Sequence, residues 1–108
     1  MPLVQKHCVS SPGGMQSISK REAQEFHKEI PEWTLHQKSI EREFRFKNFK
    51  ESMAFVSKVA AVAEEEGHHP DMTIFYGRVK LQLTTHVIGG LSDNDFILAA
   101  KIDRLLTQ

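Results

Sequence analysis

Apolar residues recur along this chain with two different periods. Phe55, Val56, Val59, Ala60 and Ala63 fall three and four apart, which gathers them on one face of a helix. Asn48 followed by Glu51 supplies a capping pattern at its start, and Gly67 stands where a left-handed C-terminal cap belongs. Elsewhere the period is two. Val79, Leu81 and Leu83 alternate with Arg78, Lys80 and Gln82, and Ile40, Phe44 and Phe46 alternate with Glu41, Glu43 and Arg45, with Arg42 out of phase. Each reads as a half-buried strand, and "WTLHQ" and "MTIFY" before them predict the partners of two hairpins. Two further helices bracket the series. Ser19 with Glu22 in "SKRE" makes a capping box for a helix that runs toward Ile30 and stops at Pro31. Ser92 with Asp95 repeats the capping pattern, ahead of a stripe of Leu98, Ala99, Ile102, Leu105 and Leu106.

The predicted order is helix, two strands, helix, two strands, helix. Strands clustered in pairs with short turns favour an α+β fold of two layers, a four-stranded antiparallel sheet with three helices packed on one face. Such a sheet leaves edge strands and one face in need of cover, so self-association is expected. Residues 1–17, "MPLVQKHCVSSPGGMQS", read as a flexible leader with a turn-forming "SSPGG", ahead of one domain over 18–108.

Composition narrows the class. A content of 40% hydrophobic and 26% charged residues is that of a soluble globular protein, and no apolar run reaches the roughly 18 residues of a membrane helix. Fourteen basic side chains cancel fourteen acidic ones, which removes the footprint of a protein that grips phosphate backbones. The single cysteine, Cys8, can form no internal disulfide, and the leader lacks a secretory apolar segment, so a reducing, cytoplasmic compartment is expected.

The stretch "EEEGHHPD" at 64–71 sets two imidazoles at a helix exit. His86 closes the fourth strand, and hairpin pairing brings the end of that strand toward the start of the third, hence toward His69 and Pro70. Glu64, one turn before His68, and Asp95 at the head of the last helix complete a candidate cluster of imidazoles and carboxylates. Three readings compete for it. Imidazole gives and takes protons near neutral pH, which suits acid/base chemistry. Three histidines and a carboxylate are also zinc ligands, although adjacent histidines point apart and no i, i+4 histidine pair or cysteine pair is present. The third reading is a solvated polar loop, with Asp95 serving only as a helix cap. Trp33, the one tryptophan, is either core or a flat wall for a planar ligand.

"EEEGHHPD", Tyr76, "VKLQLTTH" and "GLSDND" together resemble the pterin-4a-carbinolamine dehydratase family, also known as dimerisation cofactors of a homeodomain transcription factor. The likeness extends from about Trp33 to the C-terminus. It implies a cytoplasmic lyase that removes water from 4a-hydroxytetrahydrobiopterin to give the quinonoid dihydropterin in tetrahydropterin recycling. No cofactor or metal is implied, the tetrahydropterin being the substrate. By motif, His68, His69 and His86 match the family's active-site histidines, and Glu64 and Asp95 its acidic partners. Trp33 matches an aromatic of the segment that leads into the first strand. A homodimer or homotetramer is implied, with a nuclear pool where a transcription partner exists. The alternative is a non-catalytic dimerisation or binding module for a transcription factor or another protein.

Overall fold

In the computed structural model, which describes residues 2–9 and 16–106, the local caps are formed as the sequence indicates. Ser19 Oγ accepts from the Glu22 N–H at 3.1 Å, and Glu22 Oε1 accepts from the Ser19 N–H at 3.1 Å, which starts helix α1 (Lys20–His27). Beyond His27 the backbone tightens into i→i+3 turns, Glu29 N–H to Phe26 O and Ile30 N–H to His27 O, so the regular helix stops before the expected Ile30. Strand β1 is only Thr34–Leu35, because a turn closed by His36 N–H to Ser39 O at 2.9 Å reverses the chain into β2 (Ile40–Arg45). Asn48 Oδ1 accepts from the Glu51 N–H at 2.9 Å and opens α2 (Phe49–Glu66). Strands β3 (Asp71–Ile74) and β4 (Arg78–Leu83) form the second hairpin, and α3 (Asp93–Leu105) closes the fold.

The sheet is antiparallel throughout, in the order β1-β2-β4-β3. Register follows the hydrophobic pattern: Phe44 faces Val79, Ile40 faces Leu83, and Met72 faces Leu81. A slip of one residue would turn this set to solvent. The three helices cover that apolar face. Phe55 of α2 packs on Phe44 and Phe46 with ring centroids 4.7 and 5.0 Å apart, while Phe96, Leu98 and Ile102 of α3 join the same core. The opposite face is polar, with Lys80–Glu41 and Arg78–Glu43 ion pairs across neighbouring strands.

Several features add to or depart from the sequence expectation, Leu106 among them: expected on the apolar stripe of the last helix, it caps α3 and is 45% exposed. Arg42 is out of phase because it stays on the core side and pairs with Asp103 of α3 at 2.9 Å. Ala60 is exposed, since the buried stripe of α2 is the narrower set Ser52, Phe55, Val59, Ala63 and Glu66. Residues 2–9, assigned to a flexible leader, are docked on the domain: Leu3 is 1% exposed, and a 3-10 turn at Leu3–Gln5 lies against α3. A single leucine has no period to betray it. Its docking explains why α3 is buried continuously over 94–99, where an amphipathic helix would show one dry face. Residues 1 and 10–15 of the expected leader lie outside the described residues.

Trp33 belongs to this core. It is 1% exposed, meets Phe44 edge-on at 6.0 Å, and donates Nε1–H to Asp103 Oδ1 at 2.8 Å, the oxygen that Arg42 also contacts. Burial pushes the Asp103 carboxyl up, against the pull of these two donors. Trp33→Phe keeps a six-membered aromatic ring but loses the donor and part of the indole volume, so a cost of about 2–3 kcal/mol is expected in denaturant unfolding. Trp33→Ala adds a cavity and should cost about 3–5 kcal/mol.

Candidate functional site

The site begins at the exit of α2. Gly67 takes the left-handed conformation at φ 69°, which a residue with a Cβ adopts only at a cost, and both its N–H and that of His68 return to Ala63 O, at 2.9 and 3.3 Å. This sharp turn sends His68 inward, to the first turn of α3. There its Nε2 meets Asp95 Oδ1 at 2.6 Å, and Asp95 is fully buried. The other carboxylate oxygen, Oδ2, accepts from the Ser92 N–H at 3.0 Å and from Thr85 Oγ1 at 2.9 Å, while the Thr85 and Ser92 hydroxyls share a hydrogen bond of 2.7 Å. Asp95 is therefore helix cap and imidazole anchor at once. In a medium of low dielectric such a bond is strong, and an unmatched member would be costly.

The remaining imidazoles are held more loosely. His69 Nε2 contacts Glu64 Oε2, one turn back along α2, with 57% and 77% of the side chains exposed. His86 follows Thr85, which bridges to Gly90 and ends the extended chain. Because β3 and β4 pair with Asp71 opposite Gln82, the start of β3 lies beside this end of β4, and His86 Nε2 stands 3.8 Å from Asp71 Oδ2. The expected proximity of His86 to the helix exit is realised through Asp71, the acidic residue of "HHPD". Each of the three histidines thus has a carboxylate neighbour: one pair is buried, and two lie largely in water.

Trp33 is not brought to this cluster; its burial leaves no ring face open to a planar ligand. Among the described residues, no group of three His, Cys, Asp or Glu side chains is spaced to hold a metal ion. One partner of Asp95 escaped the sequence reading, Thr85, whereas the Ser92 N–H is the capping contact that was expected. Thr85 had a legible signal, a polar residue in phase with core-facing Leu81 and Leu83.

A two-layer α+β domain with one histidine anchored on a buried carboxylate, and two more beside exposed carboxylates, is the class of fold and site this chain presents. Comparison with known sequences specifies the class. The sequence profile described as pterin 4 alpha carbinolamine dehydratase matches residues 16–105. A relative from Nitrosomonas eutropha, named provisionally as a pterin-4-alpha-carbinolamine dehydratase, is 46% identical over 105 residues, 96% of this chain and 93% of its own. One from Nitrosospira multiformis with the same provisional name is 45% identical, over 95% of this chain and 91% of its own. The crystal structure of a transcriptional coactivator/pterin dehydratase from Brucella melitensis superposes with a TM-score of 0.79 at 28% identity, over 83% of this chain and 98% of that one. The chain belongs to the pterin-4-alpha-carbinolamine dehydratase family.

The difference in burial makes the histidines separable by stability. Asp95→Ala strands His68 Nε2, Thr85 Oγ1 and the Ser92 N–H, so urea unfolding should show a loss of about 3–5 kcal/mol. His69→Ala, at an exposed pair, should stay within about 1 kcal/mol of the unaltered protein.

Proposed function

We propose that the protein dehydrates 4a-hydroxytetrahydrobiopterin to the quinonoid dihydropterin and water, by histidine acid/base catalysis, with the pterin as substrate and no separate cofactor or metal. Membership of the dehydratase family supports the reaction class. The observation that carries the assignment of residues is the buried His68–Asp95 bond within a chain turn of exposed His69.

The chemistry needs two proton movements. The C4a–O bond breaks as the departing hydroxyl takes a proton from an acid, and the neighbouring ring nitrogen gives its proton to a base as the C4a=N bond forms. Atoms balance with water as the leaving group and no electron donor. An ionised carboxylate only accepts hydrogen bonds, so Asp95 fixes the hydrogen of His68 on Nε2 and leaves Nδ1 as the nitrogen that exchanges protons. His86, beside Asp71, supplies the second imidazole. His69 and Glu64 orient the pterin at the rim, where polar side chains can meet its amide and amine groups.

The same reading includes a homodimer or homotetramer. Edge strand β3 ends in exposed Ile74 and the turn after it carries exposed Phe75 and Tyr76, whose carbonyl accepts from Ser52 Oγ at 3.0 Å, which seats this turn beside exposed Phe49 and Met53 at the start of α2. Light scattering should give a mass at least twice the 12.4 kDa of the chain. A monomer at micromolar concentration would remove this part of the reading.

The reaction itself is followed by the ultraviolet absorbance of the carbinolamine as it decays. Acceleration over the spontaneous rate is expected, with losses of about 10²-fold or more in His68→Ala and in His86→Ala. An unaltered protein that gives no acceleration would leave the non-catalytic binding module as the standing account.

A further inference from the structure

The docked N-terminal arm meets the domain at places that bear on the site. At its start, buried Leu3 donates its N–H to Glu29 Oε1 at 3.0 Å. At its end, the Cys8 N–H donates to Glu66 Oε1 at 2.8 Å and His7 Nδ1 to Glu66 Oε2 at 3.0 Å. Val9 forms a two-point pair with the Asn94 carboxamide: its N–H donates to Oδ1 at 2.9 Å and its carbonyl accepts from Nδ2 at 2.7 Å. Glu66 is itself unusual. Its side chain is 3% exposed at the last position of α2, where the helix dipole opposes a negative charge. Burial works against its ionisation, yet the Cys8 N–H, His7 and the Lys101 ammonium at 3.4 Å outweigh burial and hold the carboxyl below the usual range. A buried acid with donors from two other parts of the chain is a fastening point.

The positions of these fastenings in the chain are what matter. Glu66 lies two residues before His68, and Asn94 one residue before Asp95. The arm therefore grips residues two and one positions before the two halves of the buried pair, on two elements that otherwise end there. Helix termini fray, and a hydrogen bond of 2.6 Å tolerates little drift. We infer that Glu66 and Asn94 are positioning residues: through them the docked arm holds the exit of α2 against the start of α3 and so fixes His68 in its working orientation. This rests on the dehydratase reading proposed above.

Cys8 reports the state of the arm. Burial first, and the Glu66 carboxylate second, push its thiol up to about 12, so a docked Cys8 carries almost no thiolate at neutral pH. Release of the arm should return it to ordinary reactivity.

The test uses the full chain with Val9→Pro, which removes the N–H that Asn94 accepts without touching a site residue, beside Asn94→Ala, Glu66→Ala and Glu66→Gln. Circular dichroism first establishes the temperature at which each remains folded. In Val9→Pro and Asn94→Ala, Cys8 should react faster with a disulfide reagent. The ring protons of His68 should shift and broaden in NMR spectra. The dehydration kcat should fall about 10- to 100-fold with KM within about twofold. Glu66→Gln, which still accepts from Cys8, should retain more of the rate than Glu66→Ala. A freed, reactive Cys8 with unchanged kcat and unchanged His68 resonances would overturn the inference. So would a Cys8 in the unaltered protein that already reacts as fast as in urea. If the unaltered protein fails to accelerate dehydration, the dehydratase reading falls, while the Cys8 and His68 measurements still decide the positioning role.

Discussion

The carboxylate of Asp95 is where separate parts of the fold meet. It has no contact with solvent, and its oxygens are shared among the Ser92 N–H, the Thr85 hydroxyl and the His68 ring. Those partners belong to the cap of α3, to the continuation of β4 and to the exit of α2. A buried carboxylate without donors would be costly to the folded state, so each of the three elements must arrive in place for the others to be tolerated. The position of His68 is thus a condition of folding, with any use in chemistry following from it.

The exit of α2 shows how the remaining charges are accommodated. Glu64, Glu65 and Glu66 end the helix where its dipole disfavours them. Glu64 turns to His69 in solvent, and Glu66 turns inward to Lys101 and the backbone of the arm. A run that looks like a uniform acidic patch is divided by helical geometry into an exposed partner for a histidine and a buried tether. The two functions lie on different faces of one helical turn.

How much of this could be read from the chain follows from the range of each interaction. The caps at Ser19, Asn48 and Ser92, the left-handed Gly67, and the strand phases of Ile40 and Val79 are set by residues within a few positions of one another, and they appear as expected. The nearness of His86 to the helix exit was also accessible, because hairpin register is a local rule; its contact with Asp71 followed from that rule without being foreseen. Trp33 was ambiguous. Its indole is explained by Asp103, 70 positions away, and no local pattern carries that information. The arm was illegible for the same reason. Glu66 and Asn94 meet Cys8 and Val9, 58 and 85 positions distant, a range that no local pattern spans.

The unequal burial of the three histidines has a consequence for how such a site decays over evolutionary time. A descendant of this chain kept only for binding would be released from selection on His69 and His86, whose side chains are 57% and 80% exposed and support little of the fold. It would still be bound to keep His68 with Asp95, since that pair joins three elements. Inactive members of the lineage should therefore retain the first histidine of the tandem pair long after losing the second. Survival of that residue alone would record ancestry and folding, whereas survival of the exposed two would, on the proposed dehydratase reading, record selection on chemistry.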